Sequence, residues 1–189
     1  MTHLDDLALA PLRKRYGTPR GVTFEAEVSR SELDLVIRSG SSGRRHDVTF
    51  FAFNGERLAL IRKTHFAPGV WRPPSGGVHP GEDAEAGILR EALEETGVAI
   101  RLERYLLSTD VRFTSEGRSI EWRTHVLTAT TEAEELSPLD TEEIAAARWG
   151  TIEELAGPIR ERALATGRGL WRYRTALHDA AIEELRQAE

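Results

Sequence analysis

Residues 76–98 read GGVHPGEDAEAGILREALEETGV and place Arg90, Glu91, Glu94 and Glu95 within six consecutive positions. The stretch begins with a Gly- and Pro-containing loop and continues with residues that favour a helix. Like charges three or four residues apart each cost an isolated helix a few tenths of a kcal/mol. The cluster therefore needs either solvent around it or a cation beside it.

The second half of this stretch has the signals of a helix from Ala84 to Thr96. Asp83 is a favourable N-cap, and Gly97 is a favourable residue just past the C-terminus. At about 100° per residue, the three Glu side chains share one arc of the helix. The other arc carries Leu89, Ala92, Leu93 and Thr96, and we expect it to face the core.

Two interpretations of the acidic arc are open from the residues alone. Runs of Glu on a helix usually form a solvated face, and Arg90 can offset part of the repulsion by reaching Glu94. The alternative is a divalent-cation site, because Mg²⁺ takes hard oxygen ligands from a few carboxylates together with substrate phosphates.

The spacing of the whole stretch resembles the Nudix box and favours the second interpretation. The matching positions are Gly76, Glu82, Arg90, Glu91, Glu94, Glu95 and Gly97. Ala92 is a departure, since the family usually has Leu, Ile or Val there. The upstream residues 69–74, GVWRPP, are similar to the family's usual entry to the box.

The resemblance implies an α/β fold, the Nudix α/β/α sandwich with a mixed sheet, over about residues 46–156. We expect residues 1–45 to form an N-terminal extension with a helix and a strand, packing on the core or on a dimer partner. Residues 46–189 would then form the Nudix domain, which ends in a tail of C-terminal helices.

The resemblance also implies an enzyme, a Nudix pyrophosphohydrolase that uses Mg²⁺ or Mn²⁺ and water. It would cleave a diphosphate linkage in a nucleoside diphosphate joined to another moiety, such as a nucleotide sugar, ADP-ribose or an NTP. The rival from another class is a Nudix-fold sensor that binds a nucleotide derivative and regulates a partner. The intact box favours the enzyme.

Site residues follow from the resemblance position by position. Glu91, Glu94 and Glu95 would be metal ligands, and Glu82 a lesser metal or water contact. Either Glu91 or Glu94 would contact the nucleophilic water, and Arg90 would hold a Glu in place.

Residues outside the box supply further candidates. An extra acid that acts as base or ligand would be Glu121, Glu142 or Glu143. Substrate contacts near the box would be Arg62, Lys63 and Arg72 for phosphates and Trp71 for a base. The accessory patterns that mark Nudix subfamilies are missing, so the sequence does not identify the substrate.

Composition limits the partners. A net charge of −6 argues against a stable nucleic-acid partner or an anionic membrane surface. The chain has no cysteine, and no run approaches the roughly 18 apolar residues of a membrane helix. We expect a cytoplasmic protein that acts on a small molecule, with a homodimer suggested by the strand-like segment 22–28.

Local patterns predict the remaining elements. Asn54-Gly55 predicts a hairpin between two strands, and residues 105–113 and 119–130 read as strands joined by SEGRS. Residues 147–151 would be a last short strand. Residues 39–47 read as an exposed loop, and we expect helices broken near Pro11 and near Gly157-Pro158.

Overall fold

A computed structural model describes residues 6–40 and 43–187. Within these ranges, seven strands form one mixed sheet in the order β1-β5-β6-β2-β3-β7, with β4 paired to β2. The strands are β1 Arg20–Glu27, β2 His46–Asn54, β3 Arg57–Lys63, β4 Ser75–Gly76, β5 Arg101–Ser115, β6 Arg118–Thr130 and β7 Ile144–Gly150. The β1–β5 and β2–β6 pairs are parallel, and the other pairs are antiparallel.

Helices cover both faces of this sheet. They are α1 Asp6–Tyr16, α2 Arg30–Ser39, α3 Ala84–Thr96, α4 Ile152–Glu154, α5 Arg160–Ala165 and α6 Gly169–Arg186, with a π-helical turn Leu155–Ile159 between α4 and α5. None of the described helices is long and apolar enough to cross a membrane.

Neighbouring residues of β2 show how one strand serves two cores. Phe50 packs in a cluster with residues of α1 and α3, whereas Phe51 packs in a second cluster with residues of α2 and α6. Successive side chains of a strand point to opposite faces, so a strand buried on both sides joins the two layers. The predicted α/β/α sandwich with a mixed sheet is confirmed.

Helix α3 has the predicted bounds but a different buried face. Asp83 accepts a hydrogen bond from the Ala86 N–H, and Gly97 closes the helix in the left-handed conformation. Ala92 and Thr96 are buried as expected. The expectation for Leu89 and Leu93 was wrong, since these side chains are 37% and 43% exposed while Glu95 is buried.

Neither expected proline break occurs as a break. Helix α1 runs through Pro11, because Leu9 and Leu12 bury their side chains against the sheet on either side of it. At Gly157-Pro158 the helical path continues as the π-helical turn. A π-turn shifts the hydrogen-bond pattern around a residue that lacks an N–H, so the chain bends without ending the helix.

The segment 39–47 is only partly the exposed loop that we expected. Residues 41 and 42 lie outside the described residues. His46 opens β2 and is buried, with its Nδ1 2.9 Å from Nε2 of His125. Buried pairing with β6 therefore takes the last two residues of the segment into the sheet.

The N-terminal elements contact the C-terminal helix directly. β1 extends the sheet beside β5, and buried Glu32 of α2 accepts hydrogen bonds from the N–H groups of Gly169 and Leu170. A carboxylate at a helix N-terminus satisfies donors that have no partner within the helix. Helix α2 thereby positions the start of α6. The division of the chain at residues 45 and 46 stays a prediction.

Gly97 should tolerate no side chain. Its φ is +75°, and a Cβ there would lie 1.8 Å from the carbonyl oxygen of Ser137. Gly117 has a φ of +77° with no described atom within 4 Å of that position. Gly117→Ala should cost about 1 kcal/mol in the free energy of unfolding, and Gly97→Ala about 1–3 kcal/mol more. Urea denaturation of both variants measures the difference, and equal costs would contradict the contact with Ser137.

His178 should make folding sensitive to acid. Burial against the sheet lowers the pKa of His178 to about 3, with Arg174 and Arg72 adding repulsion. Its stabilising contribution is complete above the ordinary histidine pKa of about 6.5 and is lost as pH falls. Relative to His178→Leu, the free energy of unfolding should fall by up to about 1.4 kcal/mol per pH unit below about pH 6. Urea titrations between pH 7 and pH 5 measure this slope, and parallel curves would contradict it.

Candidate functional site

A cleft of about 510 Å³ opens at the end of the sheet where β2 begins and β3 ends. One wall consists of the box loop and the acids of α3. The opposite wall consists of residues from α2 and α6, including Leu35, Leu170 and Arg174. The cleft therefore lies between the two helical layers, with the ends of the strands as its floor.

Two glycines of the box loop make room for the acids. A Cβ on Gly76 would lie 1.9 Å from Oε2 of Glu91, so any side chain there would displace this carboxylate. Oε1 of Glu91 accepts a hydrogen bond of 3.1 Å from the Gly77 N–H. Burial raises the pKa of Glu91, while Arg90 opposes this shift. A carboxylate with a raised pKa is a stronger proton acceptor than a carboxylate with the ordinary pKa.

Arg90 organises the other acids of the box. Its guanidinium donates to both oxygens of Glu82 at 2.9 and 3.0 Å, to Glu91 at 3.0 Å and to Glu94 at 2.9 Å. A further bond of 2.9 Å reaches the Gly77 carbonyl. The hydrogen bonds from Arg90 lower the pKa of Glu82 to about 2. The predicted contact between Arg90 and Glu94 is present, and Arg90 joins the loop to the helix.

Glu95 holds the floor of the cleft. Its Oε2 accepts a hydrogen bond of 2.7 Å from the Ser75 N–H, and its Oε1 lies 3.3 Å from both Arg72 and Lys63. Arg72 is buried, and burial lowers its pKa to about 10, so its guanidinium stays charged near neutrality. The pair explains why a Glu takes a core position on α3.

The donor set suits a hard divalent cation. Glu91 Oε2 and Glu94 Oε1 have no hydrogen-bond partner within residues 6–40 and 43–187, and both residues line the cleft. Both oxygens of Glu95 and of Glu82 already accept hydrogen bonds, so they have fewer lone pairs left for a metal. In the described part of the chain, no group of three His, Asp or Glu side chains converges as a ready metal cluster. Mg²⁺ prefers oxygen ligands such as carboxylates, so the chemical type of these side chains fits a Mg²⁺ site.

The structure brings together some of the candidates outside the box and separates others. Lys63 and Glu143 line the cleft and form an ion pair at 2.5 Å. Arg72 also borders it but is committed to Glu95. The other four candidates do not line the cleft. Arg62 stacks on the half-buried Trp71, and the acids Glu121 and Glu142 are exposed on the surface.

Several cleft residues carry no motif. They are Arg44, Asp47, His65, Asp140, Arg168 and Arg174. Arg44 precedes β2, and Arg174 lies 130 residues further on in α6, so no local spacing links them. Side chains alternate between the two faces along β2 and β3, and this alternation could have indicated that Asp47 and Lys63 lie near the site. Only the tertiary fold brings Arg44, Arg168 and Arg174 to the cleft.

Comparison with known proteins identifies the family. The model of the NUDIX domain matches residues 43–168, which is two thirds of the chain and includes the whole box. The chain belongs to the Nudix family. The predicted membership of the Nudix hydrolase superfamily is confirmed, and the match ends one residue before α6.

Relatives of this Nudix chain include longer proteins. The NAD-capped RNA hydrolase NudC of Stutzerimonas stutzeri is 38% identical over 159 residues, which cover 82% of this chain and 48% of that protein. Nudix hydrolase 25 of Arabidopsis thaliana is 38% identical over 56 residues, or 30% of this chain and 32% of that protein. The chain therefore spans less than half the length of these relatives.

A solved structure supports the fold. The Nudix hydrolase from Nitrosomonas europaea superposes with a TM-score of 0.54 at 21% identity, covering 76% of this chain and 89% of that one. At this identity the likeness shows the Nudix fold alone.

Glu95→Gln should destabilise the protein strongly. The substitution keeps the shape of the side chain but leaves the charge of buried Arg72 uncompensated, which typically costs about 3–5 kcal/mol. Glu103, which pairs with Arg101 at 2.8 Å on the surface, is the matched control. Glu103→Gln should cost less than about 1 kcal/mol. Urea denaturation at pH 7 measures both, and similar costs would contradict the role of Glu95.

Proposed function

We propose that this Nudix domain is a metal-dependent pyrophosphohydrolase that cleaves a diphosphate linkage in a nucleoside diphosphate joined to another moiety. The observation that carries the proposal is the arrangement around Gly76. The absence of a side chain there lets Glu91 lie against the loop, while Arg90 holds Glu82, Glu91 and Glu94 in one network. This network uses four of the seven fixed positions of the box as one unit.

The roles follow from which oxygens have partners. Glu91 and Glu94 would hold Mg²⁺ or Mn²⁺, each through the oxygen that Arg90 does not occupy. Glu95 would be a further metal ligand through the remaining lone pair of its Oε2, while its contacts with Arg72, Lys63 and Ser75 position the floor. Glu82 would orient Arg90 through the paired hydrogen bonds. A divalent cation, when bound, neutralises the charge of diphosphate oxygens and so eases attack by water.

The chain's own groups would manage the proton and the substrate. Attack forms a bond between the water oxygen and one phosphorus and breaks the bond to the bridging oxygen, which leaves on the second phosphate. Glu91 or Glu94 would contact the attacking water, and the carboxylate that does so would accept its proton through a lone pair that the cation does not take. Lys63 lies at the cleft floor, where its ammonium would attract the phosphates of the substrate.

The sensor alternative predicts a different result. A sensor would bind a nucleotide derivative tightly without turnover under any metal. The intact box and the network around Arg90 favour turnover. The cytoplasmic location and the homodimer stay predictions, for which cell fractionation and analytical ultracentrifugation are the measurements.

The hydrolysis test is a screen of the purified protein. The panel contains ADP-ribose, nucleotide sugars, dNTPs, dinucleoside polyphosphates, coenzyme A, NAD and an NAD-capped RNA, each with Mg²⁺, with Mn²⁺ and with EDTA. The last two substrates are included because of the name of the Stutzerimonas relative. We expect the protein to release phosphate-containing products from at least one substrate when Mg²⁺ or Mn²⁺ is present, and from none with EDTA.

Glu94→Gln should reduce kcat by more than about 100-fold, since the loss of an outer-shell partner of a metal site already costs 10–100-fold. The control is Glu56→Gln, an exposed acid in the turn between β2 and β3, with unchanged kcat expected. Full activity in Glu94→Gln would refute the assigned site. Binding without turnover across the panel would favour the sensor.

A further inference from the structure

The cleft that contains the acids is also lined by two arginines, Arg44 and Arg174, without a close acidic partner. The guanidinium of Arg44 makes no hydrogen bond to the described residues, and its Nε is buried without a partner there. The main-chain carbonyl of Arg44 accepts a hydrogen bond of 2.8 Å from Arg45. Arg174 has one ion pair, to Asp47 at 3.8 Å, and its side chain is 25% exposed. Buried polar groups normally have hydrogen-bond partners, so the Arg44 guanidinium is suited to an external acceptor. Arg174 lines the same cleft and has donors that its single long ion pair does not use.

Lys63 and Arg168, which also line the cleft, have closer acidic partners than Arg174 has. Lys63 contacts Glu95 and Glu143, and Arg168 pairs with buried Glu32 at 3.2 Å. Asp47 is the acid nearest to Arg174, and it also accepts a hydrogen bond from the Thr124 hydroxyl. Arg44 therefore has no acidic partner among the described residues, and Arg174 has only the long contact with Asp47.

The position of Arg44 connects this region to the proposed reaction centre. Its guanidinium stacks over Trp122 at 5.7 Å from the ring centre, which restrains it. Its Nη1 occupies the side-chain space of Gly77, since a Cβ there would lie 1.5 Å from that nitrogen. Gly77 is also the residue whose N–H binds Glu91. Arg44 thus packs on Gly77, which is next to Gly76, the loop residue that lies against Glu91.

Arg44 and Arg174 also border a smaller pocket of about 140 Å³ that continues from the cleft between α2 and α6. Both cavities share Leu35, Leu170 and Asp47. A ligand group held by the two arginines would therefore lie between the acids and the apolar walls of Leu35 and Leu170. Arg174 lies beyond the residues that the family model matches.

We propose that Arg44 and Arg174 form an anion subsite that binds the substrate's diphosphate within the cleft that Glu91 and Glu94 also line. Guanidinium groups suit this role because their planar set of donors matches phosphate oxygens. The inference rests on the proposed function for its ligand, but the subsite can be tested without catalysis.

The experiment is isothermal titration calorimetry of inorganic pyrophosphate into the full chain with EDTA, at fixed ionic strength. We expect the wild type to bind, and Arg44→Gln and Arg174→Gln each to weaken binding by about tenfold or more, the effect of losing a charged hydrogen bond. Arg57→Gln is the matched control, because Arg57 also stacks on a tryptophan, Trp149 at 5.3 Å, but lies outside the cleft. It should bind like the wild type.

A second variant removes the Arg44 contact without changing charge. Gly77 does not have a positive φ, so Gly77→Ala should keep the backbone and displace only the flexible end of Arg44. We expect it to weaken pyrophosphate binding as Arg44→Gln does. Gly21→Ala, where no described atom lies within 4 Å of the added Cβ, should have no effect. Circular dichroism verifies that each variant folds.

The outcomes separate this proposal from the hydrolase proposal. Glu94→Gln should lose hydrolysis yet keep metal-free pyrophosphate binding. Absence of hydrolysis in the wild type, with binding that depends on both arginines, would refute the hydrolase and support the subsite. No pyrophosphate binding by the wild type, or unchanged binding in Arg44→Gln or Arg174→Gln, would overturn the subsite.

Discussion

The buried ion pair between Glu95 and Arg72 is the interaction on which the cleft depends. Helix α3 and the strand ends reach the same place because this carboxylate accepts from the Ser75 N–H at 2.7 Å and lies 3.3 Å from the Arg72 guanidinium. A charge in the core is tolerated only with such partners, since desolvation of a lone charge is costly. The pair therefore ties the turn of α3 that carries the acids to the floor of the site.

Arg90 performs the complementary task above that floor. The like charges of the box would repel one another on a bare helix, but Arg90 contacts Glu82, Glu91 and Glu94 together with the loop carbonyl of Gly77. Hydrogen bonds from Arg90 thus hold the acidic side chains in place. The two oxygens left without described partners, on Glu91 and Glu94, would be the ones available to the proposed cation.

The second wall of the cleft depends on parts of the chain at its two ends. Glu32 of α2 binds the first N–H groups of α6, and this contact sets where Arg168, Leu170 and Arg174 lie. The acids of α3 and Arg174 of α6 therefore come from helices on opposite faces of the sheet. A substrate that bridges the layers would contact both walls, which connects the proposed reaction to the proposed anion subsite.

The sequence by itself determined the helix Ala84–Thr96, its caps and the family, because capping, spacing and glycine requirements are local properties that residues 76–98 contain in full. Only the tertiary structure decided which face of that helix is buried. Leu93 is exposed and Glu95 is buried because Arg72 and Ser75 come from a distant loop. The same holds for Arg44 and Arg174, since hydrophobic periodicity and motif spacing contain no information about which charged side chains meet across a cleft.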